Sequence, residues 1–243
     1  MMKTVVIDIG NTNLKFGYFN DQILEETLAC AISEWSLIVH FFQNKTIQKA
    51  LIGASGEIPE VLTDLLKVSK IPFLLFHTQL KFSFINKYKT PETLGHDRLA
   101  LMEGAFEYYG APALVIACGT CITYNLLNER GEMLGGAISP GLEMRLKSMA
   151  DYTARLPRAT IPSALPPLIG QTTESCLQSG AVRGTLAEID GIIEQYLLIY
   201  PHLNIILTGG DADYLESKLK NKIFADNHII LKGLNAILLH NEF

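Results

Sequence analysis

One strand–turn–strand pattern is written twice in this chain, and that repetition restricts it to folds made of two related halves. The first copy is Val5-Val6-Ile7-Asp8-Ile9-Gly10-Asn11-Thr12-Asn13-Leu14-Lys15. Its β-favouring apolar residues enclose one carboxylate and stop at Gly10, a residue type that lets a strand turn tightly and lets a ligand approach its backbone. Leu14, Phe16 and Tyr18 then alternate with Lys15 and Gly17, as a returning strand should. The second copy runs Leu114-Val115-Ile116-Ala117-Cys118-Gly119-Thr120-Cys121-Ile122-Thr123-Tyr124-Asn125, with Ile7 to Thr12 falling over Ile116 to Cys121. Each copy is followed by turn residues and a third strand, Ile23–Leu28 in one case and Met133–Ile138 in the other.

Alternating strands and helices follow the first meander. Ser33 is expected to cap a helix with Trp35, Ile38, Val39 and Phe42 inward, and Lys49–Gly53 returns as a buried strand. Pro59 suits the first turn of a helix burying Val61, Leu62, Leu65 and Leu66, and Pro72–Phe76 is a further strand. Residues 77–94 lose their period and read as an irregular excursion, after which Leu99, Met102, Ala105 and Phe106 mark another helix. In the second half, a long helix around Ser179–Tyr200, a strand Asn204–Thr208, and helices near Ala212–Lys220 and Gly233–His240 are expected. The fold class is therefore α/β, with a subdomain boundary near Gly110 that separates residues 1–110 from 111–243.

The chain has 243 residues, 48% hydrophobic and 19% charged, enough to bury a real core. A net charge of −5 without a basic block argues against nucleic acid or acidic lipid as the main partner. The opening Met1-Met2-Lys3-Thr4 runs straight into a strand pattern, and no apolar run approaches the ~20 residues that span a bilayer. A cytoplasmic protein with reduced thiols at Cys30, Cys118, Cys121 and Cys176 is the expectation.

The turns carry the chemistry. Backbone and hydroxyl donors around Gly10, Asn11 and Thr12 suit phosphate oxygens, while the carboxylate of Asp8 suits the magnesium ion that accompanies a nucleotide. Gly209-Gly210-Asp211, between a strand and a helix, offers a ligand access to backbone amides. Three such turns in a duplicated chain point to a nucleotide cleft between the halves. Gly95-His96-Asp97-Arg98 gathers charge at a helix start, which is either a cap, a surface ion pair or a site. Cys118-Gly119-Thr120-Cys121 supplies only half of a tetrahedral sulfur site and lies on a hairpin, so a redox or zinc role is disfavoured.

Taken together, these residues resemble the duplicated ribonuclease H-like ATPase superfamily of actin, sugar and acetate kinases, and within it the type III pantothenate kinase family. The resemblance rests on Asp8-Ile9-Gly10-Asn11-Thr12, Tyr88 with Thr90-Pro91-Glu92 and Leu94-Gly95-His96-Asp97-Arg98, Cys118-Gly119-Thr120, Gly135-Gly136 with Ser139-Pro140-Gly141-Leu142, Gly170-Gln171-Thr172-Thr173, and Leu207-Thr208-Gly209-Gly210. It implies two ribonuclease H-like subdomains, duplicated βββαβαβα-type units with the active site in the cleft between them. It also implies transfer of the ATP γ-phosphoryl group to the primary hydroxyl of pantothenate, towards coenzyme A, in a homodimer.

By position, the resemblance makes Asp97 the general base, with Tyr88, Gly95, His96, Asp97 and Arg98 around the substrate and Arg98 on its carboxylate. Thr173 would close the pocket from the neighbouring subunit. Asp8, Ile9, Gly10, Asn11, Thr12, Asn13, Leu14 and Lys15 would form the first phosphate segment, with Asp8 near the magnesium ion; Thr120 would be the second phosphate contact, and Gly209-Gly210 the adenosine turn. Two departures stand out. The family usually carries an aspartate that binds an activating potassium or ammonium ion where this chain has Ala117, and Asn125 replaces a second aspartate. A non-catalytic nucleotide or pantothenate sensor, or a kinase of another hydroxy acid, are the alternatives.

Overall fold

A computed structural model describes residues 1–10, 13–54 and 56–241. By its internal contacts the chain forms two compact units. One contains Met1–Gly110, Gly131–Met133 and the residues from His228 onward; the other contains Ala111–Arg130 and Leu134–Asn227.

In the first unit, strands β1 (Lys3–Ile9), β2 (Leu14–Asn20) and β3 (Ile23–Cys30) form the meander, followed by helix α1 (Trp35–Phe42), β4 (Lys49–Ala54), α2 (Glu60–Val68) and β5 (Phe73–Leu75). The sheet order is β3-β2-β1-β4-β5, with β1 antiparallel to β2 and parallel to β4. Val5, Ile7, Phe16 and Ile52 are fully buried, and Ile38, Phe41, Leu62 and Leu66 cover the same core. Helix α3 (His96–Tyr109) is buried along most of its length, and α7 (Ile229–His240) crosses it so closely that a Cβ at Gly233 would stand 1.8 Å from the carbonyl oxygen of Ala100. Asn235 of α7 is fully buried, and its amide donates to the Asp21 carbonyl at 2.8 Å, tying α7 to the turn between β2 and β3.

The second unit repeats the plan. Strands β7 (Ala113–Cys118), β8 (Cys121–Leu127), β9 (Glu132–Pro140), β10 (Asn204–Thr208) and β11 (Phe224–Ala225) lie in the order β11-β10-β7-β8-β9, and the two-residue β6 (Ile85–Asn86) pairs with Glu132 and Met133 at the start of β9, which like β6 belong to the first unit. Read from the other edge, β9-β8-β7-β10-β11 matches β3-β2-β1-β4-β5 strand for strand. Again the first strand is antiparallel to the second and parallel to the fourth. Helices α4 (Leu142–Asp151), α5 (Thr173–Ile199) and α6 (Ala212–Glu216) complete the unit, with Val182, Ile189 and Ile193 of α5 packed on the sheet. Among the described residues no helix is long and apolar enough to cross a membrane.

Several local expectations are corrected. Glu34, not Ser33, is the N-cap of α1, its carboxylate taking the Ala31 amide at 2.8 Å, and Phe41 joins Ile38 in the buried stripe at i,i+3 spacing. Val61 is 41% exposed, because the i,i+4 pair Leu62 and Leu66 already fills the core-facing stripe of α2. Within residues 77–94 lie β6 and a 3₁₀ turn at Pro91–Thr93. Helix α4 was not expected; it buries only Leu142 and Leu146, too narrow a stripe to read as a period. Helix α5 begins at Thr173 because Thr172 and Ser175 form a capping box, and its first buried residue is Leu177. The expected helix to Lys220 stops at Glu216, and β11 follows.

Candidate active site

Asp8 is the penultimate residue of β1, with its side chain 9% exposed. In parallel register it stands opposite Gly53 of β4, and in antiparallel register opposite Lys15 of β2. His96, the first residue of α3, brings Nε2 to 3.1 Å from Asp8 Oδ1; with Asp8 ionised, that ring N–H donates and the carboxylate accepts. The ring occupies the space that Gly53 leaves open and meets Phe76 edge-on, with centroids 5.7 Å apart. The turn beyond Asp8 is closed by the Gly10 amide donating to the Asn13 carbonyl at 3.1 Å. Ile9 and Leu14 are buried in the flanking strands, Asn13 is exposed, and Lys15 is half-buried. Asn11 and Thr12 lie outside the described residues.

The next residues of α3 carry the proposed substrate chemistry. Asp97 is half-buried, and its carboxylate folds back over the Cα of Gly95 so tightly that a Cβ there would stand 2.3 Å from Asp97 Oδ1. A side chain at 95 would displace the Asp97 carboxylate without straining the backbone, since φ is −58°. Arg98 is buried, and its guanidinium lies 5.2 Å from the centroid of the Tyr88 ring, within cation–π range. Tyr88 is held by its own amide donating to Asn86 Oδ1 at 2.9 Å, the residue that ends β6. Five of the expected substrate residues, Tyr88 and Gly95 to Arg98, thus sit around the N-terminus of one helix, but His96 turns toward Asp8.

In the second unit the corresponding turn is Gly119-Thr120. Gly119 N donates to the Cys121 carbonyl at 3.1 Å, and Thr120 is exposed at the tip. The turn after β10 lies directly on this hairpin: Asp211 N donates to the Cys118 carbonyl at 3.0 Å, and a Cβ at Gly209 would meet that carbonyl oxygen at 2.2 Å. Gly209 has φ +102°, so both sterics and backbone conformation exclude a side chain, whereas Gly210 faces open space. The structure therefore brings Thr120, Gly209 and Gly210 to one corner of the second unit. Burial, then the charge of Glu143, holds the Asp211 carboxyl above its usual range. Burial, reinforced by Asp211 and Glu188, pushes the Cys118 thiol up to about 12, which leaves it a poor nucleophile and a poor metal ligand at neutral pH.

Ala117 stands opposite Thr123 and Thr208 on the neighbouring strands, and its methyl group cannot ligate an ion. Asn125 is fully buried, and its amide donates to Thr123 Oγ1 at 3.1 Å. Thr173 is exposed in the first turn of α5, where Thr172 does the capping. Arg145 pairs with Glu188, which also accepts from Tyr124 at 2.9 Å and Ser139 at 2.5 Å. Burial raises Glu188, but the hydrogen bonds from Ser139, Arg145 and Tyr124 outweigh it and hold the carboxyl below the usual range. Sequence reading missed Gly53 and Glu188. A glycine inside a buried strand is a signal of close approach, whereas a glutamate within a long helix carries none.

The family model for type III pantothenate kinases matches residues 4–195 of this chain. The chain belongs to the type III pantothenate kinase family. A type III pantothenate kinase of Christiangramia forsetii is 41% identical over 248 residues, covering 98% of each chain, and one of Bacteroides fragilis is 37% identical over 239 residues, again covering 98% of each. Among solved structures, a conserved Campylobacter jejuni protein assigned to the Baf family superposes with a TM-score of 0.60 at 24% identity, covering 97% of each chain. The activator of 2-hydroxyisocaproyl-CoA dehydratase from Clostridium difficile, solved with bound ADPNP, reaches a TM-score of 0.50 at 12% identity, covering 98% of this chain and 94% of its own. At such identities these two comparisons establish the fold, the two-sheet α/β architecture of the family.

Proposed function

We propose that this chain phosphorylates pantothenate with ATP, the reaction for which its family is named and the entry into coenzyme A synthesis. The observation that carries the reading is the arrangement at the start of α3: a carboxylate seated on Gly95 beside an arginine stacked on Tyr88. Asp97 takes the proton of the substrate's primary hydroxyl as that oxygen bonds to the γ-phosphorus and the bond to the departing ADP breaks. A base so placed is worth ~10²–10⁴-fold in rate. Arg98, its guanidinium over the Tyr88 ring, takes the carboxylate of pantothenate, so that the hydroxyl end is held against Asp97.

Donors at Gly10–Lys15 and at Thr120 take phosphate oxygens, and the Gly209-Gly210 turn takes the adenosine. Asp8 fits a magnesium ion in chemistry: it is an anionic oxygen donor at a strand end, and the described structure gives one of its oxygens a single ring N–H. When bound, magnesium neutralises charge on the phosphates. The residues around Ala117 do not fit a carboxylate-held potassium or ammonium ion, and no step is assigned to one. Exposed Thr173 is proposed to reach the pantothenate of a second subunit in a homodimer.

The test is ADP release by purified protein with and without pantothenate, repeated with Asp97→Asn. Release that ignores pantothenate, or an Asp97→Asn variant as fast as the parent, would sink the reading. Because Ala117 and Asn125 depart from the family, nucleotide binding without turnover in sodium, potassium and ammonium buffers alike would instead favour a sensor.

A further inference from the structure

We infer that His96 is a positioning residue: it fixes the Asp8 carboxylate in the orientation that presents its other oxygen to the nucleotide-bound divalent cation. The inference rests on the reading of Asp8 as the metal face, and goes beyond it by naming what holds that face. Three observations carry it. Nε2 of His96 lies 3.1 Å from Asp8 Oδ1, and the two side chains are only 6% and 9% exposed, so little water competes for the bond. The ring cannot lie there unless residue 53 lacks a side chain, because a Cβ at Gly53 would stand 2.6 Å from His96 Cδ2 and 3.1 Å from Nε2. Phe76 meets the ring edge-on at 5.7 Å, closing a further side. Strands β1 and β4, the residue after β5 and helix α3 therefore converge on one imidazole.

The consequence is a fixed relation between two groups with different tasks. His96 and Asp97 are consecutive, so the bond that orients the carboxylate at the end of β1 also anchors the first turn of α3, where the base sits. A carboxylate left to rotate would hold a cation in several geometries, of which few suit in-line transfer. Outer-shell partners of this kind are typically worth 10–100-fold in metal affinity.

The experiment measures ADP affinity by calorimetry with and without Mn²⁺, a spectroscopically useful substitute for magnesium, in the full-length protein. The gain in affinity that the metal confers is the readout, and it does not depend on turnover. Asp8→Asn should abolish the gain. His96→Leu, which keeps bulk but loses the donor, should reduce it by about tenfold or more, while His96→Gln, which can place an amide N–H near Nε2, should restore most of it. Gly53→Ala should mimic His96→Leu with the histidine still present. The gain is taken for each variant relative to that variant's own metal-free ADP affinity, so a change in metal-free binding does not enter the readout. In the unaltered protein, ¹⁵N-labelled histidine spectra should show His96 as the Nε2–H tautomer, which needs no variant to fold.

An undiminished metal gain in His96→Leu alongside its loss in Asp8→Asn would overturn the positioning role and leave the metal assignment standing. Equal losses in His96→Leu and His96→Gln, or a proton on Nδ1 alone, would also overturn it. An undiminished gain in Asp8→Asn would overturn both.

Discussion

Gly95 and Asp97 illustrate how little freedom the proposed base has. Gly95→Ala has an allowed backbone angle but puts a methyl group where Asp97 Oδ1 now lies, so the carboxylate must swing away. Turnover should therefore fall toward that of Asp97→Asn, itself expected to be down ~10²–10⁴-fold, while thermal melting barely moves; a Gly95→Ala enzyme with full turnover would show that the seat is unimportant. Arg98→Lys keeps the charge but loses the planar fork and its stacking on Tyr88. The loss of a bidentate charged hydrogen bond, about 1.5–3 kcal/mol, should appear as a KM for pantothenate raised by roughly 10–100-fold. Asp8, Gly10, Asp97 and Arg98 were legible because each is a charge or a glycine at the edge of an apolar run. The direction of His96 was not, since neighbours in sequence diverge at a helix start and only the folded sheet supplies Gly53.

At the level of elements, the turn after β10 is pinned by geometry rather than by side chains. Gly209→Ala must accommodate both a positive φ and a clash with the Cys118 carbonyl, a cost of about 2 kcal/mol or more, equivalent to a melting point lower by roughly 4–8 °C; Gly210→Ala, facing open space, should melt like the parent. Matching melting points for the two variants would contradict this account. The Glu188 cluster makes a second prediction. Because its hydrogen bonds hold the Glu188 carboxyl below its unfolded value, its stabilisation is present above about pH 4.3 and fades as pH falls through the lower, folded value. Urea titrations should therefore show Glu188→Gln weaker than the parent at pH 7, with the gap narrowing toward pH 3. The paired strand–turn–strand units were readable in advance because β1, β2, β7 and β8 bury alternate or continuous apolar residues. Helix α4 was obscure because Leu142 and Leu146 alone anchor it, and β11 because a two-residue strand has no period at all.

For the molecule as a whole, the shared strand order of the two sheets makes the first strand of one unit the topological counterpart of the first strand of the other: Asp8 and Ala117 hold the same place in the plan, one charged and one not. Rates in sodium and potassium buffers should accordingly be comparable, and strong potassium activation would mean that backbone oxygens build the site that Ala117 lacks. If Thr173 serves a neighbouring subunit, mixing Asp97→Asn and Thr173→Ala chains should regenerate native pantothenate KM in the hybrid, because one of its two sites then draws only unaltered residues; no recovery on mixing would place Thr173 elsewhere. The duplication could be read from the register of the two turns, whereas the return of α7 to the first unit could not, because it depends on Gly104 and Gly233, far apart in sequence, meeting at a crossing. That crossing has an implication for biosynthesis. A nascent or clipped polypeptide ending short of Ile229 would already contain the acid, the arginine and every glycine turn, yet α3 would lack the helix it leans on, so competence should arrive abruptly once the codons of α7 are translated.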